Sequence, residues 1–215
     1  MPLTFGIIGA GRVGSNFARL VTQHGHIAVI ANSRGPESLA GLVAELGPLA
    51  RAATPAEAAD AADFGVLAIP FLAVRDLPAA QLAGTPTIDA TTYYAGRDGD
   101  IPELQAGRIT AGEYLQALLP GVPLVRALTH VTAAELPRDG RPHGSADRRA
   151  FALTGEFAGA KARVAELFDE LGYDTLDAGP LSESWRYDPF TPASGAAVGT
   201  DGLRTLLAQA EHTTR

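Results

Sequence analysis

Residues 3–14 read Leu3-Thr4-Phe5-Gly6-Ile7-Ile8-Gly9-Ala10-Gly11-Arg12-Val13-Gly14. The apolar run from Leu3 to Ile8 predicts a buried strand, and Gly9, Gly11 and Gly14 give G-x-G-x-x-G spacing directly before a helical pattern. In a strand-to-helix turn of this kind the first glycine permits the tight turn. The second lets the backbone approach a pyrophosphate, and the third lets helix and strand pack closely. Phosphates then meet the positive end of the helix. A chain with 24 glycines in 215 residues produces such spacings by chance, so the flanks must carry weight. They do: Val13, Phe17, Leu20 and Val21 stripe one helix face, Gly25 is placed to end that helix, and Ile27 to Ala31 supplies a second strand. Residues 9–14, including Ala10, Arg12 and Val13, are therefore expected to line a dinucleotide.

The end of the second strand selects the nucleotide. An NAD-preferring chain would usually place Asp or Glu there to accept from the ribose 2′-hydroxyl. Here Asn32-Ser33-Arg34 follows. A carboxylate would repel a 2′-phosphate, whereas a hydroxyl and a guanidinium bond it with charge assistance, so NADP is expected as cofactor. The alternative is a polar turn with Ser33 as a helix N-cap.

With 46% hydrophobic residues the chain can bury a full core, as one domain or as one domain plus a small lobe. A net charge of −7 argues against a nucleic-acid partner. No apolar run is long enough for a membrane helix, and the N-terminus enters a strand at once, so a cytoplasmic protein is expected. The absence of cysteine excludes disulfides and thiolate chemistry. G-x-S-x-G, H-E-x-x-H and Walker motifs are also absent, and no metal site is expected.

Further along, Pro36 fits the first turn of a helix, Leu49 to Ala53 a short strand, and Thr54-Pro55 the start of another helix. Phe64 to Ile69 predicts a strand buried on both faces. In a doubly wound sheet ligands lie beyond the carboxyl ends of strands, which puts Ile69, Pro70 and Phe71 at the cofactor unless Pro70 merely ends the strand. Thr87 to Ala90 predicts the next strand, leading to the loop with Thr91, Tyr93 and Tyr94. Asp98, Asp100 and Glu103 there lack the spacing of an EF-hand and read as a solvated loop. Thr110 and Glu113 have capping-box spacing, and Pro123 to Leu128 predicts a strand that delivers Thr129, His130 and Thr132 to the same edge. His130 could protonate a nascent alkoxide or amine, with Thr132 and Tyr93 as further catalytic candidates; the alternative is a histidine fixed by backbone contacts.

Beyond Pro137 the chain turns polar, and residues 138–145 read as a connection or lid. A strand over 149–154, a helix carrying Phe157, Val164, Leu167, Phe168 and Leu171, and a strand over 173–177 add a small α/β lobe. Leu203, Leu206, Leu207 and Ala210 stripe a last helix. The division expected is 1–137 for the nucleotide and 138–215 for closing over the substrate and for dimerisation. Trp185, the one tryptophan, lies in a polar loop and is a candidate to stack on a flat ring, or else a core residue. Arg186 could neutralise an anionic substrate or form a structural ion pair.

Three segments resemble a known family: Asn32-Ser33-Arg34-Gly35-Pro36-Glu37-Ser38; Ile88-Asp89-Ala90-Thr91-Thr92-Tyr93-Tyr94 with Arg97-Asp98-Gly99; and Gly179-Pro180-Leu181 with Glu183-Ser184-Trp185-Arg186. With the glycine turn they look like the NADP oxidoreductases related to coenzyme F420-dependent NADP reductase. The resemblance implies a Rossmann-type doubly wound, mostly parallel sheet with a small C-terminal α/β lobe, and usually a homodimer. It also implies hydride transfer between nicotinamide and a deazaflavin held face to face, near Tyr94, Thr129, Trp185 and Arg186. Such transfer needs orientation more than an acid or base. Relatives often carry Asn at the position of Thr92, Phe-Asn at Leu128-Thr129, and a basic residue near Ser38. The other functions open to the sequence are NADPH-dependent reduction of a small imine or carbonyl and non-catalytic NADP binding in a redox sensor.

Overall fold

The computed structural model describes residues 1–212. Six strands form one sheet: β1 (Thr4–Ile8), β2 (Ile27–Ala31), β3 (Ala50–Ala52), β4 (Phe64–Leu67), β5 (Thr87–Asp89) and β6 (Leu124–Arg126). Every pairing is parallel, and the order is β3-β2-β1-β4-β5-β6. The chain winds outward from β1 to β3 and then returns to β4 on the other side of β1. The sheet is thus a doubly wound Rossmann type, with its switch point between β1 and β4. The central strands are apolar on both faces: Phe5 and Ile7 are buried on one face of β1 and Ile8 on the other, Ala28 and Ile30 against Val29 in β2, and Val66 against Leu67 in β4.

The crossovers begin where local chemistry allows. Helix α1 (Arg12–Gln23) follows β1 directly, and α2 (Ala40–Leu46) follows a 3-10 turn over Pro36–Leu39. Helix α3 (Pro55–Asp60) opens on a capping box between Thr54 and Glu57. Short helices α4 (Ala95–Asp98) and α5 (Pro102–Gln105) occupy the long loop after β5. Helix α6 (Ala111–Leu118) opens on the capping box of Thr110 and Glu113.

The C-terminal unit lies beside the main sheet. Strands β7 (Ala150–Leu153) and β8 (Asp174–Asp177) pair in parallel across helix α7 (Ala158–Glu170). An antiparallel bridge between Arg126 and Thr154 joins this unit to the end of β6. Helix α8 (Thr200–Ala208) buries Leu203 and Leu207 with Ala150, Ala152 and Tyr187, so its apolar stripe is used within the chain. One apolar cluster contains Phe5, Phe17 and Leu20 together with Phe151, Phe168 and Tyr173, and it runs unbroken past residue 137. The segment expected as a lid is tied down: Arg141 N donates to Gly172 O at 2.9 Å. Among the described residues no helix is long and apolar enough to cross a membrane.

Candidate active site

The glycine turn is built by contact. Gly9 has φ of 113°, and a Cβ there would lie 2.2 Å from Ala68 O. A Cβ on Gly14 would lie 1.8 Å from Gly9 O, so α1 can approach β1 only with glycine at that position. Gly11 is different, since a Cβ on it would meet nothing within 4 Å. Its missing side chain serves no packing within the chain and leaves an open cradle over the helix start. Helix α1 begins on Gly11 with no side-chain cap and no acidic residue in its first turn, so its leading N–H groups are available to an anion. Ala10 and Val13 flank the cradle half-buried, and Arg12 is exposed.

At the end of β2, Asn32 shapes its own loop. Its Oδ1 accepts from Arg34 N at 3.0 Å, and its Nδ2 donates to Ser38 Oγ at 2.9 Å. Ser38 in turn donates to Gly35 O at 2.7 Å. The cap before Pro36 is Gly35, so Ser33 is not an N-cap. Ser33 and Arg34 stand exposed, and the guanidinium groups of Arg34 and Arg12 make no ion pair among the described residues. A hydroxyl and two uncommitted guanidinium groups beside a phosphate cradle fit a 2′-phosphorylated dinucleotide.

Beyond β4 and β5 the expected contacts divide. Ile69 is half-buried and Pro70 exposed at the strand end. Phe71, expected at the cofactor, is instead fully buried, stacked 5.6 Å from Tyr114 and tilted against Tyr93 at 5.4 Å. Thr91 is likewise withdrawn, because its Oγ1 donates to Asp89 Oδ1 at 2.7 Å beneath the surface. The Tyr93 hydroxyl donates to Gly99 O at 2.8 Å and accepts from Ile101 N at 3.2 Å, which commits the phenol to holding its loop. Tyr94 is exposed, with the Arg97 guanidinium 5.1 Å over its ring. Asp98 is not solvated as expected; it is buried, pairs with Arg97 and accepts from Tyr94 N.

His130 is corrected most sharply. It is 1% exposed and packs against Tyr187 at 5.3 Å and Phe151 at 6.1 Å. Its Nε2 accepts from Ala152 N at 3.4 Å. Burial, with repulsion from Arg149, pushes its pKa down to about 3. A neutral enclosed imidazole is poorly placed to serve as an acid to substrate, and the contact with Ala152 N is of the kind expected of a histidine fixed by the backbone. Leu128, two residues before it, has a left-handed φ of 64°, and Thr129 Oγ1 is enclosed without a partner among the described residues. Thr132 is exposed. Arg186 also takes its structural alternative, donating to Glu183 at 2.6 Å with its guanidinium 4.5 Å from the Trp185 ring centre.

Trp185 does line a cavity. Of about 210 Å³, it lies between the loop after β5, the start of α6 and the segment from Trp185 onward, with Tyr93, Thr110, Asp188, Thr191 and Glu211 in its wall. Beside it is a group that sequence reading missed. Arg126, at the end of β6, is fully buried and bonds Asp89 Oδ2 at 2.5 Å and Asp188 Oδ1 at 2.9 Å. Burial alone would lower the Arg126 pKa, but the two carboxylates outweigh it and raise it. The signal was available: a lone arginine inside an apolar strand requires a buried partner, and Asp89 ends the neighbouring strand. The triad joins the edge of the sheet to the segment that carries Trp185.

Comparison with known proteins adds the family. Residues 4–93 match the profile described as NADP oxidoreductase coenzyme F420-dependent. A hypothetical protein, SMa0349 from Sinorhizobium meliloti, is 30% identical, with 94% of this chain and 97% of that one covered at a TM-score of 0.79. The chain belongs to this NADP oxidoreductase family. NADP is accordingly the cofactor of this oxidoreductase. A candidate F420-dependent NADP reductase from Arthrobacter sp. FB24 is 25% identical over 86% of this chain and 87% of that one, at a TM-score of 0.72. An imine reductase from Pseudomonas sp., 16% identical, shares the fold at a TM-score of 0.62; 97% of this chain covers 61% of that longer one. None of the curated proteins compared matches the oxidoreductase.

Proposed function

We propose that this NADP oxidoreductase passes hydride between NADP(H), held on the glycine turn, and a planar acceptor seated in the cavity beside Trp185. The observation that carries the reading is the open cradle at Gly11 beside Arg34, whose guanidinium makes no ion pair among the described residues. On this reading residues 9–14 and the start of α1 hold the pyrophosphate, while Ser33, Arg34 and Arg12 hold the 2′-phosphate. Asn32 keeps their loop in shape, and Ile69 and Pro70 border the nicotinamide half. The bound nicotinamide supplies the hydride chemistry. The chain's own task is to orient two rings and keep water from them, with Trp185 as the wall for the second.

Coenzyme F420 is the first acceptor supported, by the family profile and by the Arthrobacter relative's name. A small imine or carbonyl compound is the second, favoured by the modest cavity of about 210 Å³. A cytoplasmic homodimer belongs to the same proposal. Stopped-flow mixing of the protein and NADPH with the deazaflavin tests the first acceptor: its absorbance should bleach within turnover time. Absence of bleaching at saturating NADPH, with turnover of a cyclic imine, would hand the site to the second.

A further inference from the structure

The charge around Trp185 does not balance. Asp89 is saturated: its Oδ1 accepts from both Thr91 N and Thr91 Oγ1, and its Oδ2 accepts from Arg126. The same guanidinium must also serve Asp188, so two carboxylates share one cation and the triad retains one negative charge. That excess falls to Asp188. Its side chain is 24% exposed, it lines the cavity, and its Oδ2 takes no hydrogen bond among the described residues. Glu211 adds a second carboxylate to the same wall and pairs with no cation among the described residues. Among the described residues no lysine or arginine lines the cavity, and His212 is the one basic side chain in its wall. Arg186, over the Trp185 ring, is already neutralised by Glu183, and His212 meets Trp185 at 4.7 Å.

We propose that Asp188, held in place by Arg126, is the specificity-determining residue of this cavity and selects a cationic acceptor, a protonated imine, over anionic and neutral ones. The proposal rests on the reading that the acceptor occupies the Trp185 cavity, and it takes the imine, not coenzyme F420, as that acceptor. An aromatic wall beside an under-compensated carboxylate suits an organic ammonium or iminium group, through charge-assisted hydrogen bonding and attraction to the ring faces. The state of the candidate acids agrees. The Tyr93 hydroxyl is spent on Gly99 O and His130 is enclosed and neutral, so neither offers a proton. A protonated imine requires none. Hydride from NADPH adds to its carbon, the C=N π electrons become the nitrogen lone pair, and a neutral amine leaves beside NADP⁺.

The test uses the full chain saturated with NADP⁺ and reads the emission of Trp185, the one tryptophan. Benzylamine, benzyl alcohol and benzoate serve as cationic, neutral and anionic probes of similar shape. Benzylamine should quench with a Kd at least tenfold below that of the alcohol, and benzoate should bind weakest. Asp188→Asn should cut that preference to under threefold with NADP⁺ affinity unchanged, and Asp188→Glu should restore most of it. Should Asp188→Asn disturb folding through Arg126, Glu211→Gln provides the second reading, a smaller loss of the same preference. Equal binding of all three probes, or an undiminished preference in both neutralised variants, would overturn the charge assignment while leaving the acceptor in the cavity. If no probe reaches Trp185, the placement of the acceptor falls and the assignment falls with it.

Discussion

An imidazole enclosed by Phe151 and Tyr187, with Arg149 adding repulsion, loses far more on protonation than one in water, and His130 titrates near 3. The unfolded chain, with an ordinary value of about 6.5, binds a proton that the folded chain refuses. The contribution of His130 to stability is therefore complete above about pH 6.5 and falls as pH drops toward 3. By pH 5 the loss should reach roughly 2 kcal/mol. Urea unfolding at pH 7 and pH 5 checks this: the parent should lose about that much more than His130→Gln. Equal losses would mean that the ring is not held neutral by the fold. Turnover per folded molecule should differ less than about twofold, since an enclosed ring has no access to the acceptor. The place of His130 after β6 was legible, but its direction was not. Leu128 enters the left-handed region two residues before it, a turn that no hydrophobic pattern announces.

The turn from β1 into α1 shows why that part of the chain reads so directly from sequence. Each glycine answers a distinct local requirement, and the requirements leave separate traces. Gly14→Ala drives a Cβ into Gly9 O and should cost about 3 kcal/mol or more, or prevent folding. Gly11→Ala projects into open space, so its melting curve should shift by no more than about 1 kcal/mol. Its NADP Kd should nevertheless rise about tenfold, because the methyl group fills the pyrophosphate cradle. Arg34→Ala should weaken NADP about 10- to 100-fold and leave NAD unchanged. Calorimetric titration of both nucleotides separates these outcomes; equal NADP and NAD affinity in the parent would remove Arg34 from the 2′-phosphate. The capping box at Thr110 and the cap at Thr54 were legible for the same reason, each being complete within four residues, although Glu57 as the partner of Thr54 went unread. The Asp89-Arg126-Asp188 triad was not, since its members lie 37 and 62 residues apart and meet only through strand pairing and the return of the C-terminal segment. Phe71, Thr91 and Tyr93 follow the ends of β4 and β5, as their strands predict, but which side chains face outward there depends on neighbours far away in sequence.

At the scale of the whole molecule the polar stretch after Pro137 suggests a domain boundary, and apolar packing crosses it. Phe151, Phe168 and Tyr173 share one cluster with Phe5, Phe17 and Leu20, and Tyr173 donates to Leu136 O at 2.6 Å across the junction. Removing the C-terminal unit would expose apolar surface on the main sheet and strand a fully buried Arg126 with half its charge partners. The two parts should therefore unfold together. Trp185 emission reports on the C-terminal part and far-ultraviolet circular dichroism on the helices of both, so the two probes should trace one coincident thermal transition. Arg126→Met should displace both curves together by about 3–5 kcal/mol, because it leaves Asp89 buried without a cation. Separate transitions, or a shift confined to Trp185, would restore residues 1–137 as an autonomous domain. They would also turn the triad from a joint of a single folding unit into a clasp between two, and the Trp185 wall of the cavity could then open without unfolding the nucleotide site.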